Sequence, residues 1–341
     1  MKSKVLLIML SFLLVTSLSF VVSAKAATPV KAIELKIAHY LPDGHHLVVR
    51  TKKIGAEIEK RTEGKVKFTY YSAGTLVGPV EAFEGTLKRR TDLYFDVVPG
   101  WTPGRFPLTE LVDLAPNNSD AEGASIAFWE FYNKFLIEEW NKVKVVGVTV
   151  QVPQHLHTRV PIRTFADLKG KQIRIYGAGK QMMAAWGGTP VGMPISEAYL
   201  ALQKGIVEGI LCPFTEMKYL KFADVAKYHT VIGVLASPFM MIMNLDSYNA
   251  LPPDVKKVFD GIGEYIAREA GKAWNIAEAE SREHVKGLGQ EIIVLPPAER
   301  AEWVKRAVSI NDAWVTDVEA KGLPAKKILE EKNKIWAKYL K

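Results

Sequence analysis

The strongest constraint on this chain is an alternation of strand and helix that runs from Glu34 and starts again near residue 150. Glu34-Leu-Lys-Ile-Ala-His39 alternates polar and apolar, the period of a strand with one covered face. From His46 to Arg61 the apolar residues Leu47, Ile54 and Ile58 recur at helical spacing among charges. Val66 to Tyr71 predicts a second strand, Pro79 to Leu87 a helix, and Asp92 to Val98 a third strand. That order belongs to an α/β domain with a largely parallel sheet. A helix from Ser119 to about Asn141 and a strand over Val143–Val150 complete the first series. Beyond it, strands are predicted at Gln172–Tyr176 and Gly209–Cys212, with helices between them. Leu251-Pro252-Pro253 opens a long helix towards Leu288, Leu295-Pro296-Pro297 opens another, and a last helix closes the chain. No Gly/Ser linker separates the two series, so two α/β domains joined by direct strand crossings are expected, with a hinge there. The cleft between them is the expected ligand site, because pockets favour domain interfaces and the carboxyl ends of parallel strands.

The first residues set the compartment. A basic start, Met1-Lys2-Ser3-Lys4, precedes an apolar run from Val5 to about Val22 and the small-residue site Ala24-Lys25-Ala26. This is the three-part pattern of a secretory signal peptide, with a mature chain expected from Ala27. The site carries no cysteine for lipid attachment, and no later stretch reaches transmembrane length, so a soluble exported protein is expected. Removing residues 1–26 takes away Lys2, Lys4 and Lys25 and no acid, which lowers the net charge from +8 to +5. With the charges interspersed, nucleic acid is not an expected partner, whereas an anionic ligand suits the balance. Cys212 is the only cysteine, so no internal disulfide supports the fold and the core must hold it.

Catalytic and cofactor motifs are mostly missing. Gly177-Ala-Gly179 lies between a predicted strand and a helix, as a dinucleotide fingerprint would, but Met182 stands at the third glycine position. His155-Leu-His157 places two imidazoles on one side of an extended segment, and His45-His46 sits in a turn. Neither pair has the third and fourth ligands a metal site needs, so solvated or structural roles are expected and no metal. Cys212, among Ile210, Leu211, Pro213 and Phe214, fits a small buried hydrophobe better than a nucleophile. No enzyme activity and no cofactor are therefore expected. Arg174 stands apart: it ends the strand Lys171-Gln-Ile-Arg-Ile-Tyr176, before a glycine turn. From there a guanidinium can present its planar fork to a carboxylate, although a surface arginine has the same local pattern.

Several segments, in order, resemble the extracytoplasmic solute-binding proteins of TRAP transporters, the DctP-type family. They are Leu35-Lys-Ile-Ala-His-Tyr-Leu-Pro42, Ser72-Ala-Gly-Thr-Leu-Val-Gly78, Pro103-Gly-Arg-Phe-Pro107 and, most specific, Phe165-Ala-Asp-Leu-Lys-Gly-Lys-Gln-Ile-Arg174. Gly188-Thr-Pro-Val191, Ser196-Glu-Ala-Tyr-Leu-Ala-Leu-Gln203 and Gly205-Ile-Val-Glu-Gly209 continue the match over nearly the whole mature chain. The resemblance implies a two-domain periplasmic binding protein fold of the α/β class: mixed sheets with flanking helices, a hinge, a long helix spanning both domains and a ligand cleft between them. The division expected is residues 1–26 as signal peptide, 27–151 with 238–278 as one domain, and 152–237 with 279–341 as the other. It also implies that Arg174 clamps the ligand carboxylate, that a periplasmic protein hands its ligand to TRAP membrane permease subunits, and that capture proceeds by cleft closure.

Two departures bear on the ligand. Cys212 stands where family members often carry asparagine, and Gln154 holds, to within a residue or two, the place of a second arginine found in some members. With Tyr40, Trp101, Tyr176, Ile195 and Phe214 expected around the cleft, these changes favour a monocarboxylate with an apolar or aromatic body over a sugar acid or dicarboxylate. A binding protein for another uptake or sensing system, and a periplasmic hydrolase or isomerase on a similar scaffold, stay open at this point.

Overall fold

Two sheets organise the chain in the computed structural model, which describes residues 31–114, 120–177 and 179–339. The expected signal peptide, residues 1–26, lies outside the described residues. The strands are β1 (Ile33–Ala38), β2 (Val66–Tyr71), β3 (Leu93–Asp96), β4 (Lys144–Val150), β5 (Gln154–Thr158), β6 (Gln172–Arg174), β7 (Thr189–Val191), β8 (Gly209–Cys212), β9 (Tyr228–Val234), β10 (Pro238–Met243) and β11 (Glu291–Val294). One sheet has the order β2-β1-β3-β10-β4 and the other β11-β9-β5-β8-β6-β7. Helices flank both, and the fold is a two-domain α/β fold.

Local signals place the first elements well. The helix His46–Arg61 buries Leu47, Ile54 and Ile58, the stripe its spacing requires. The His45 imidazole caps it by accepting from the Leu47 N–H, and Lys60 and Arg61 complement the dipole of its last turn. β3 and β10 are buried along their whole length, Asp96 at the end of β3 included.

The sheets are mixed, not largely parallel as the alternation alone suggests. β1 runs parallel to β2 and β3, but β10 enters antiparallel between β3 and β4. In the second sheet β5 pairs antiparallel with both β8 and β9, while β6 runs parallel to β7 and β8. The cause is two crossings. The chain leaves the first sheet after β4, enters the second at β5, and returns from β9 into β10. The crossings lie side by side: the Gln151 N–H donates to the Ser237 carbonyl at 3.1 Å, and the Gln154 N–H to the Leu235 carbonyl at 3.0 Å.

The long helix expected after Pro252 is divided at Ile262 into Pro253–Gly261 and Gly263–Gly287, with a glycine on each side of the break. Its 25-residue second part spans roughly 37 Å. It packs on β4, on His46–Arg61 and on the helix Ala121–Phe131 beside the first sheet, and on the helix Thr215–Tyr219 beside the second. The expected helix over 119–141 is α-helical over Ala121–Phe131 and widens to a π-helical turn at Tyr132–Leu136. Pro297–Ala320 packs on β9, whereas the closing helix Ala325–Tyr339 packs on Ala121–Phe131. No helix among the described residues is long and apolar enough to cross a membrane.

Candidate functional site

β6 ends at Arg174, and the chain then passes through Tyr176 into Gly177. The Arg174 side chain is completely buried. Its Nε donates to the Met193 carbonyl at 3.0 Å, while both terminal nitrogens lack a protein hydrogen-bond partner. Burial pulls the guanidinium below its ordinary value, and neighbouring Tyr176, Cys212, Tyr40 and Glu216 oppose that shift. A cation so placed, with four of its five N–H donors unused, is an anion receptor.

Aromatic rings surround it. The guanidinium carbon lies 5.0 Å from the centre of the Tyr176 ring, and that ring stacks on Trp101 at 5.2 Å. Two glycines permit this approach. Gly177 adopts φ +55°, in the left-handed region, and a Cβ on Gly100 would lie 2.8 Å from the Tyr176 ring.

Arg174, Cys212, Gln154, Tyr40, Trp101, Tyr176 and Ile195 all line one narrow cavity. They come from the carboxyl ends of β1, β3, β6, β7 and β8 and from the crossing between β4 and β5, the place where open α/β sheets bind ligands. Phe214 does not belong there. The chain turns at Pro213, and the Phe214 ring is carried to the opposite side, 4.7 Å from His157 and 5.3 Å from His155, with the Arg282 guanidinium 4.1 Å above it. Sequence reasoning also missed Gln151, Glu216 and Phe239, which line the cavity. Phe239 lies on β10, a strand that the sequence pattern did not mark. Glu216 reaches across to the His45 Nε2 at 3.2 Å, joining the helix cap beside the first sheet to the start of a helix beside the second.

The histidines are structural rather than solvated. His157 lies 2.8 Å from His229 between ring nitrogens and 3.1 Å from the Cys212 carbonyl; His155 accepts from the Ile232 and Gly233 N–H groups. Burial holds His155 and His157 well below the ordinary imidazole value, so both are neutral. His46 packs edge-on against Trp274 at 4.5 Å. No group of three His, Cys, Asp or Glu among the described residues is placed to hold a metal ion. Burial also raises the Cys212 thiol well above its ordinary value, which keeps it protonated and a poor nucleophile at neutral pH.

A larger opening is lined in part by Gly100, Gly177, Glu110, Asp113, Trp314 and Lys321. Size does not make it the better candidate, since the buried arginine with free donors faces the smaller cavity. Asp113 is buried beside it, and burial pushes its carboxyl up to about 7 against a hydrogen bond from Ser237, with Glu110 adding to the rise. The native protein therefore keeps a proton that the unfolded chain has released between about pH 4 and 7, and wild-type stability falls as pH rises through that window. Asp113→Asn removes the effect. Its urea-unfolding free energy relative to wild type is expected to rise by roughly 2–4 kcal/mol between pH 4 and pH 8. An unchanged difference would mean that Asp113 is not held neutral.

The model of bacterial extracellular solute-binding protein family 7, DctP, matches residues 37–316. The chain belongs to this family. A TRAP solute-binding protein from Rhodoferax ferrireducens T118, solved with copurified benzoate, is 27% identical, with a TM-score of 0.86 over 90% of this chain and 98% of that one. A marine-metagenome TRAP solute-binding protein specific for aromatic acid ligands, solved with 3-hydroxybenzoate, is also 27% identical, with a TM-score of 0.86 over 91% and 99% of the two chains. A solute-binding protein of Sulfitobacter sp. strain NAS-14.1 is 28% identical over 53% of this chain, so the match spans about half that relative's length, 55%. The fold and family of this DctP-family chain are those of TRAP extracytoplasmic solute-binding proteins.

Proposed function

We propose that this protein captures a monocarboxylate with an aromatic or apolar body between its two domains and delivers it to a TRAP membrane permease, without chemical conversion. The observation that carries this reading is the buried Arg174 guanidinium, whose two terminal nitrogens are free beside the stacked rings of Tyr176 and Trp101. The carboxylate takes both nitrogens in a bidentate pair, and the body lies against Tyr40, Trp101, Ile195 and Phe239. Cys212 and Gln154 supply the wall where other family members place an amide and a second cation. The benzoate and aromatic acids of the two structural relatives support the same class.

Closure drives capture. The lobes are residues 32–151 with 238–278, and residues 152–237 with the chain from 279, except that the closing helix 325–339, expected in the second lobe, packs on Ala121–Phe131 and goes with the first. They hinge at the paired crossings after β4 and β9. Bound anion favours the closed state because a dry cleft strengthens the ion pair, while an empty closed cleft strands a cation. Residues 1–26 direct export to the periplasm.

A thermal-shift screen of the chain from Ala27 against aliphatic, keto, hydroxy, aromatic and sugar acids, with neutral sugars and amino acids as controls, tests the reading. Saturation at about 100 times the dissociation constant stabilises by roughly 2.7 kcal/mol, a rise of several degrees for a protein of this size. Hits confined to aromatic and apolar monocarboxylates are expected; hits only among sugars or amino acids would refute it.

A further inference from the structure

We infer that the ligand carries a hydroxyl group besides its carboxylate, received by Gln154 and Gln151, so that the site selects hydroxylated acids over their unsubstituted parents. This rests on the carboxylate-binding reading above. Both glutamines line the cavity that Arg174 faces, and they are only 1% and 3% exposed respectively. The Gln154 Nε2 donates to the Ser237 Oγ at 3.2 Å, and Ser237 also hydrogen-bonds the Asp113 carboxyl and the Tyr176 hydroxyl. With the amide nitrogen engaged there, the Gln154 Oε1 is left buried with no protein partner. The Gln151 Nε2 is likewise buried and without a protein partner. One unused acceptor and one unused donor therefore join the two free nitrogens of Arg174 in the wall of one cavity.

A carboxylate satisfies only part of this set. It accepts from Arg174 but has no proton to give to the Gln154 oxygen. An ammonium group donates but cannot accept from the Gln151 amide. A hydroxyl does both, and it is the smallest single group that does. Buried polar atoms are almost always paired in folded proteins, so a ligand that completes the set is favoured over one that leaves it open. The two glutamines bracket the crossing Val152-Pro153, which places the hydroxyl contact at the point where the chain passes between the sheets.

Calorimetric titration of the mature protein with matched acids decides the matter: benzoate, its 2-, 3- and 4-hydroxy and methoxy derivatives, phenylacetate, its 3-hydroxy derivative, and mandelate. At least one hydroxy acid is expected to bind about tenfold or more tighter than its parent. The corresponding methoxy acid, which accepts but does not donate, is expected to lose that advantage. In Gln154→Met the hydroxy-to-parent ratio is expected to fall to within about twofold, whatever happens to the parent's own affinity. Gln151→Met, checked for folding by circular dichroism, is expected to reduce the same ratio. Equal affinity for every hydroxy acid and its parent overturns this inference while leaving carboxylate binding intact. A preference undiminished in Gln154→Met overturns it as well. Failure of every carboxylate to bind removes the carboxylate reading and this one together.

Discussion

Arg174→Met will abolish useful capture of carboxylates and, in the absence of ligand, make the protein more stable than wild type. The two effects have one cause. The guanidinium is fully buried, and two of its nitrogens find no partner in the protein, so the unliganded fold carries an imperfectly compensated cation. Methionine keeps the apolar stem and removes the charge. Replacing buried ionic groups with apolar ones of similar volume often stabilises by about 1–4 kcal/mol, a rise of several degrees in a protein of this size. The same change removes a bidentate, charge-assisted contact to the ligand, which is expected to weaken binding by a factor of about 10–150 or more. Arg174→Lys is expected to fall between, because lysine keeps the charge but not the planar fork. Melting curves with and without the best acid from the screen read both signs. Affinity retained within about threefold would refute the clamp, and a large loss of stability without ligand would make Arg174 a structural residue.

Gly271→Val is expected to give one of the largest losses of stability from a single change in the long helix. A Cβ at this position would lie 2.6 Å from the Ala121 carbonyl oxygen and 2.6 Å from the Glu122 Cα. Both are backbone atoms at the start of the helix Ala121–Phe131, so no flexible side chain can give way. The helices must separate, disturbing the packing of Ala121 and Ala270, both buried at the contact. Overpacking of this kind costs roughly 3 kcal/mol or somewhat more, a fall of about 6–12 °C in the melting temperature. Gly271 does not line the cavity that Arg174 faces, so the surviving folded fraction is expected to keep binding the acid. A melting temperature within about 2 °C of wild type would show that the helix pair adapts at little cost.

Much of the architecture was legible because its signals are local. The stripe of Leu47, Ile54 and Ile58 marks a helix whose observed bounds are His46 and Arg61. The alternation around Leu35 and Ile37 marks β1, and the run before Gly177 marks the strand that ends at Arg174. The importance of Arg174 was different in kind. Local spacing allowed a surface arginine equally well, and the family-like segments Phe165–Arg174 and Gly205–Gly209 made the stronger case.

What the sequence determined by itself was thus the α/β class, the helix and strand periods, and the strand end from which an arginine can serve a cleft. Tertiary structure alone decided how the sheets are mixed, because β10 is inserted between β3 and β4 by contacts far apart along the chain. It also decided which neighbours face the cavity. Cys212 lines it, whereas Phe214, two residues on and past the turn at Pro213, packs on His157. It decided, finally, which buried polar atoms stay unpaired at Arg174, Gln151 and Gln154. Periodicity records which face of an element is covered; partners for buried polar atoms come from whatever other elements the fold brings there, and no local spacing encodes them.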